Sequence, residues 1–445
     1  MENDVGPESI FNVSGLSEAM LCRMARETGF TQRSSGKISE SDLLERFCDA
    51  AVKGTVSYND LAGTMQVATG LSVSRQAYCD RMNTPGCVAF LKAVLAHIML
   101  LKYPAHSFVR LQAAGRFRRI LIQDSTIIQL PSRLFETFSG VKNAHTTTCH
   151  ARIQGVYDLC AGQFVSFSID PYSKNDLSVA ADIQTLPGDL LLRDRGYLIT
   201  DLVGDLKIKG VDTISRYKHA TALYDPDTRQ PIKLLERLTR DGSIDQVVLA
   251  GSKLNVRIRL LAVPVREEVA NLRRMKAYKE NKGHAPSEEL LRLMSWSIFI
   301  LTIEDPTLTV HDVLDIYGLR WRIENIFKTW KSNFSFGKMH NVSAHQLTLL
   351  LVARLIVISL SYRAFDRLHS EILSSRGRQL SLMKFMRFLS LNLPLLPTLL
   401  SPCLCSTQLL DALTRYCTYD KRKRRNFQDL TDSALASLSN LRAIA

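Results

Sequence analysis

The sequence predicts an α/β protein with helical regions at both ends. Three observations carry this. Residues 1 to about 104 and those from Gln346 onward read as helices, the pattern turns to short strand-like apolar runs from Phe117, and Tyr317 to Lys331 reads as an amphipathic helix behind a strand. The 445 residues allow two or three domains, and 46% hydrophobic with 22% charged residues is ordinary globular composition. Fifty-seven Lys and Arg against 43 Asp and Glu give a net charge of +14, as expected of a protein that lies along a polyanion. The nine cysteines form no regular framework and read as reduced thiols of a cytosolic protein; neither Cys403 with Cys405 nor Cys149 with His150 has structural-zinc spacing. The N-terminal MENDVGPESIF has no apolar core of signal-peptide length, so nothing suggests export. The apolar run Leu347 to Leu360 contains Arg354 and falls short of the roughly 20 residues that span a bilayer, which makes it a buried helix.

In chain order, Ser57 to Thr69 is one helix, Gly70 breaks it, and Ser74 caps a second that holds Arg75, Gln76, Tyr78 and Arg81. Residues 57–82 suit a helix-turn-helix that sends Arg75 and Gln76 into a major groove, and equally a plain helical hairpin with a wet polar face. Ile120 to Gln123 is a strand ending in Asp124; Thr148 to Leu159 and Gln163 to Asp170 are strands joined by a turn at Cys160-Ala-Gly162. Asp176 to Thr185 should be a helix, and Leu190 to Arg193 a strand with Asp194 at its end. The 130 positions from Asp194 to Glu324 are too many for a loop. Alternating runs there, VDTISRY, IKLLERL, DQVVLAG and VRIRLLAV, predict a mainly β segment over 205–265. Glu267 to Met294 is a charged helical stretch broken near Gly283 and Pro286; its Arg273, Arg274, Lys276, Lys279 and Lys282 either track phosphates or face solvent. Trp296 to Thr302 is a strand. Beyond Gln346 the Leu-rich helices are interrupted at Pro394, Pro397 and Pro402, and Lys421 to Arg425 is an exposed tail or a nucleic-acid patch.

On a wheel of about 100° per residue, Tyr317, Arg320, Glu324, Lys328 and Lys331 fall within roughly 40° of Glu324. Ile316, Leu319, Ile323, Ile326, Phe327 and Trp330 fall on one side beside it, the core side. By itself such a column is a solvated face of i,i+4 ion pairs. The spacing Tyr-x2-Arg-x3-Glu-x6-Lys is joined, however, by two upstream aspartates closing apolar runs, ILIQDST (Asp124) and LLLRDRGY (Asp194). The three segments, in that order, resemble the transposases of the insertion-sequence-four family, cut-and-paste enzymes of the DDE type. The resemblance runs from about Arg118 to about Arg363.

The resemblance implies a ribonuclease-H-like catalytic domain over 105–370, with the β-rich segment 205–265 inserted between the second Asp and the Glu. It also implies a helical end-binding domain over 1–104; residues 371–445 carry no motif and are a helical region with dimerisation as a candidate role. Phosphodiester cleavage without a covalent intermediate is served by two divalent ions about 4 Å apart, and Mg²⁺, with Mn²⁺ as a substitute, takes hard oxygen ligands. Asp124, Asp194 and Glu324 are the assigned catalytic metal ligands. The local alternatives are a turn hydrogen bond for Asp124 before Ser125, and pairing of Asp194 with Arg193 or Arg195. Tyr317, Arg320 and Lys331 carry over the family's contacts to element-end DNA, and Lys328 joins them by sharing their face. Trp296 is a base-stacking candidate, with a core indole the better reading. His145 and His150 read as surface or core histidines. Where relatives often have Asn after Thr302, this chain has Ile303.

The expected activity is binding of element ends, hydrolysis of the 3′ strand and transfer of the 3′-OH into target DNA. Its partners would be double-stranded DNA and a second copy of the chain, with no membrane and no nucleotide cofactor, in the cytoplasm of a bacterial or archaeal host. A DNA-binding protein derived from a transposase and a nuclease without strand transfer are the alternatives.

Overall fold

In the computed structural model the chain forms two units that are each discontinuous in sequence. The first comprises Met1–Val109, Ser125–Lys174 and Arg322–Asn426; the second comprises Arg110–Asp124, Asn175–Trp321 and Phe427–Ala445. The structure describes residues 9–32, 38–54, 56–101, 117–142, 147–252, 256–280, 284–340, 342–401, 403, 405–420 and 427–439. His145, Lys282, Gly283, Pro402, Lys421 to Arg425 and the expected boundary at 104 lie outside them.

The first unit opens with α1 (Ile10–Val13), α2 (Glu18–Glu27), α3 (Glu40–Lys53), α4 (Tyr58–Thr69), α5 (Arg75–Met82) and α6 (Pro85–Leu100). Each begins at a hydroxyl that accepts a first-turn amide: Ser9, Ser17, Ser39, Ser57, Ser74 and Thr84. Gly70 ends α4 at φ +73°, a conformation that costs a residue without Cβ little. The helix pair expected over 57–82 is therefore present. Its Arg81 is a structural residue, though, donating to Glu40 at 3.1 Å and lying 4.9 Å over the Phe30 ring.

Strand β1 (Arg119–Leu130) passes from the second unit into the first after Asp124. In the first unit follow α7 (Phe135–Phe138), β2 (Gly140–Lys142), β3 (Thr147–Asp158) and β4 (Gln163–Pro171), with β2 and β4 antiparallel to β3. The turn between β3 and β4 is held by Asp158, whose carboxylate accepts from the amides of Cys160 and Ala161. At its end Gly162 sits at φ +66° with the Asp366 carboxylate where a Cβ would stand.

The second unit continues with β5 (Asp189–Arg193), α8 (Thr200–Ile208), β6 (Asp212–Arg216), β7 (Leu223–Tyr224), α9 (Leu234–Asp241), β8 (Ile244–Ala250) and β9 (Val256–Pro264). After these come α10 (Glu267–Glu280), α11 (Glu288–Leu293), β10 (Trp296–Leu301) and α12 (Val310–Gly318). Its strands run in the order β1-β5-β6-β10-β9-β8-β7, parallel from β1 to β6 and antiparallel beyond. Three of the four alternating runs are strands. The fourth, IKLLERL, is not: Leu234 and Leu238 bury one helical face of α9, and Gly242 at φ +75° closes it. Spacing of four, not two, governs that segment. Arg273 and Arg274 on α10 are half-buried and bonded to neighbours within the second unit. Arg273 donates to the carbonyls of Met294 and Trp296 and to Ser297, and Arg274 to Leu291, Glu267, Asn271 and Ser295.

The expected single helix from Tyr317 to Lys331 is two. α12 ends at Gly318, and α13 (Trp321–Asn333) begins three residues later. Between them the amides of Leu319 and Arg320 bond three residues back, to Ile316 and Tyr317, which tightens the chain and re-aims Arg320. All six residues assigned to the core side are buried. Within the first unit Trp330 of α13 meets Phe164, Phe167, Phe327 and Phe336 at centroid distances of 4.9–5.6 Å.

α14 (Ala344–Arg376) packs against α3 and α6. It is long and apolar enough to cross a membrane, which the run Leu347 to Leu360 was too short to predict, yet 89% of its most apolar window is buried inside the protein. Arg354, 0% exposed, donates to the carbonyls of Ala51, Gly54 and Lys338. α15 (Leu382–Leu391), α16 (Leu396–Leu400) and α17 (Thr407–Tyr416) follow, with Pro397 in the first turn of α16, where a missing amide is harmless. α18 (Phe427–Ser439) belongs to the second unit and lies on α12, where Ser433 donates to Asp315 at 2.6 Å and Ser437 to Asp312 at 2.5 Å.

Candidate active site

The apolar runs before the two aspartates are buried because parallel strands are covered on both faces. Ile120, Leu121, Ile122, Leu190, Leu191 and Leu192 are all fully enclosed. β1 and β5 pair in register from Arg119↔Asp189 to Gln123↔Arg193, fastened at the far end by Arg119 Nε donating to Asp189 at 2.9 Å. Asp124 and Asp194 are the next residue on each strand. Neighbouring strands stand about 4.8 Å apart, so the backbones of the two aspartates are side by side. Asp194 ends its strand as expected. Asp124 does not: β1 runs on to Leu130, and only its pairing with β5 stops at Gln123.

Three side chains of the second unit surround this pair. Arg320 Nη1 donates to Asp124 Oδ2 at 3.1 Å, with the guanidinium 8% and the carboxylate 18% exposed. The same guanidinium lies 5.7 Å from the Tyr317 ring centroid. Tyr317 is buried, edge-on to Phe299, and its hydroxyl donates to the Arg193 carbonyl at 3.4 Å, one residue before Asp194. Burial pushes that phenol up to about 12; Asp194 adds to the rise, and Arg320 and Arg216 oppose it. It is a protonated donor at any working pH. Arg216, at the end of β6, lies over Phe299 at 5.3 Å. Burial lowers its pKa, partly offset by Tyr317 and Asp194. The sequence reading passed over Arg216, whose signal is a cation closing the strand VDTISR beside the second aspartate's strand.

The expected helix over Asp176 to Thr185 is instead a series of turns. Asn175 bonds both the amide and the hydroxyl of Ser178, and the carbonyls of Val179 and Ala180 are taken by side chains from the strands. Gln123 Nε2 donates to Val179 O at 3.3 Å and Arg193 Nη1 to Ala180 O at 2.7 Å. Those bonds replace a helical ladder. They also occupy the Arg193 guanidinium, whose pKa burial lowers to about 10 against a smaller opposing effect of Tyr197.

Glu324 is half-buried on α13 in the first unit, and Lys328 and Lys331 are exposed on the same helix. Arg75 and Gln76 are exposed on α5, where Gln76 donates to Asp80 at 2.7 Å. Trp296 packs against the second unit's core and its indole N–H donates to the Gly242 carbonyl at 2.8 Å, which favours the core reading. His150 lies on β3, 5.4 Å from the Tyr172 ring.

In donor chemistry the aspartate pair fits a divalent cation: two hard-oxygen carboxylates, both partly exposed, side by side where the β1–β5 pairing ends. Among the described residues no group of three or more His, Cys, Asp or Glu side chains is gathered closely enough to hold a metal. The structure brings Asp124 and Asp194 together within the second unit, and Glu324 belongs to the first.

A family model described as the transposase DDE domain matches residues 115–360. The chain is 28% identical over 391 residues to the transposase for insertion sequence element IS231D of Bacillus thuringiensis subsp. finitimus, covering 82% of this chain and 81% of the relative. It is 26% identical over 441 residues to the IS231F transposase of Bacillus thuringiensis subsp. israelensis, covering 94% and 92%. The transposase of IS1151 from Clostridium perfringens is 25% identical over 387 residues, 81% of each chain. A solved piggyBac transposase synaptic complex with hairpin DNA superposes on 96% of this chain and 88% of its own at a TM-score of 0.44 and 10% identity, too loosely to carry an argument.

Proposed function

The chain belongs to the transposase DDE-domain family, and we propose that Asp124, Asp194 and Glu324 are the carboxylates with which it holds its metal. It is a cut-and-paste DNA transposase of an insertion element, an enzyme that cuts and transfers DNA with divalent metal ions. The observation that carries the assignment is the registered pair of aspartates at the end of the β1–β5 pairing, with Arg320 and Tyr317 set against it. Two Mg²⁺ ions are the proposed complement, the fold is read as ribonuclease-H-like within the insertion-sequence-four family, and 205–265 as its insertion.

When bound, the ions supply a Lewis acid for the phosphoryl oxygens and an acidified water. The protein's own residues do the rest. Arg320 fixes the Asp124 carboxylate and is the proposed phosphate contact that the resemblance implies; Arg216 keeps a cation beside Asp194. Tyr317 donates to the Arg193 carbonyl, setting the backbone that carries Asp194, and is also a proposed DNA contact, as the resemblance implies. Lys328 and Lys331, exposed one turn apart, hold the backbone of the element end without reading sequence. In the first step a water oxygen bonds to phosphorus, the bond to the 3′ oxygen breaks, and the proton leaves on that oxygen. The freed 3′-OH then repeats the displacement on target DNA. Arg75 and Gln76 are the proposed groove contacts of a helix-turn-helix, and a homodimer without nucleotide cofactor, acting in the cytoplasm, is the proposed active form.

The test uses radiolabelled DNA from the flank of the gene, with and without Mg²⁺, on wild type and Glu324→Gln. Metal-dependent nicks at a defined end by wild type alone, with equal binding by both proteins, is the expected result. Binding by both and cutting by neither would overturn the enzyme assignment.

A further inference from the structure

The first unit contains a cleft of about 850 Å³ that the site described above does not use. Its walls are the end of α3 (Lys53, Gly54), the end of β1 and the turn after it (Gln129 to Ser132), and the segment Gly337 to His340 that follows α13. Arg354 ties two of these walls from beneath, bonding Gly54 and Lys338 through their carbonyls. The cleft is therefore built by a buried cation and not left by loose packing.

Its chemistry is one-sided. Lys53 and Lys338 supply ammonium groups, Gln129 and Ser132 neutral donors, and none of the described lining residues is acidic. Lys53 is held by Asp49 one turn earlier, an exposed pair that exchanges readily for another anion. The Nε2 of His340 is buried with no hydrogen-bond partner, so the cleft also offers an unused ring nitrogen. Cations alternating with amide and hydroxyl donors are what a phosphodiester backbone meets when it is held without sequence readout. The wall Gly337 to His340 begins four residues after α13 ends, and α13 carries the exposed Lys328 and Lys331.

We propose that this cleft is a second binding site for the backbone of duplex DNA, continuing the track of Lys328 and Lys331 through Lys338, Lys53 and His340. The inference rests on the transposase reading, which makes duplex DNA the polyanion. Each phosphate neutralised contributes about 0.9 to the slope of log affinity against log salt. The test measures binding of the full chain to a random-sequence duplex between 50 and 200 mM salt, roughly the range over which such contacts are lost. The variants are Lys53→Gln with Lys338→Gln, and separately Lys328→Gln with Lys331→Gln. The cleft pair should lower the slope by about 1.8, equally for every duplex sequence, and additively with the helix pair. A cleft variant with the wild-type slope, beside a helix variant whose slope falls, overturns the cleft and leaves the transposase reading intact. A wild-type chain that binds no duplex at all overturns both.

Discussion

Replacing Asp366 by Asn should change how stability depends on pH more than it changes stability itself. Asp366 of α14 has little exposure, and its carboxylate fills the space that Gly162 leaves at the β3–β4 turn. Burial pushes its pKa up to about 7, with Arg322 of α13 opposing the rise. A carboxyl that holds its proton more tightly folded than unfolded gives stability that is complete below the unfolded pKa near 3.8 and is lost as pH rises through about 7. At 1.36 kcal/mol per pH unit the interval is worth about 4 kcal/mol, and the remaining exposure brings the expectation to about 2–4 kcal/mol. Asn cannot titrate. The stability of Asp366→Asn relative to wild type should therefore climb by that amount between pH 4 and pH 8. Urea unfolding followed by tryptophan fluorescence reads it, since Trp330 is fully buried in the same unit. Parallel pH profiles for the two proteins would refute the reasoning. The outcome bears on function because Arg322 is two residues from Glu324 on α13.

Arg320→Met should lower stability by about 1–3 kcal/mol through the lost charged hydrogen bond to Asp124. Because the two carboxylates then stand side by side without that guanidinium, MgCl₂ should raise Tm more in the variant than in wild type; equal shifts would refute it. Replacing Ser433 and Ser437 together by Ala removes two bonds to carboxylates of α12, and amide hydrogen exchange over 427–439 should lose protection while the strands of the second unit keep theirs. Asp312 should also become easier to protonate: it is held below the usual carboxylate range because the bonds from Ser437 and Thr309 outweigh burial, and this variant deletes the first of them.

What was legible in the sequence was local. Ser57, Gly70 and Ser74 announced α4 and α5 because caps and left-handed glycines act within a few residues of their own position. The β3–β4 hairpin and the strand before Asp194 were legible for the same reason. The misreadings all concern bonds made at long range. The helix expected after Asn175 loses to Gln123 and Arg193, which take its carbonyls from 56 and 13 positions away. The helix expected through Arg320 is interrupted where that residue reaches Asp124, 196 positions upstream. Arg273 and Arg274 looked like surface cations because nothing nearby in sequence reveals the carbonyls that they bind. IKLLERL is the exception: its leucines four apart were visible, and the competing period of two was preferred wrongly.

Gln123 within β1 and Arg193 at the end of β5 sit immediately before the two aspartates, at positions where Val or Ile would satisfy the sheet. Both are buried, and both bind the backbone of the segment packed over them. The acidic pair therefore cannot be transplanted alone. A designer who grafted Asp124 and Asp194 onto another parallel sheet, and completed the strands with the β-branched residues that propensity recommends, would reproduce the carboxylates and lose the layer that covers them. The portable module is two dipeptides, Gln-Asp and Arg-Asp, together with the irregular segment whose carbonyls they claim.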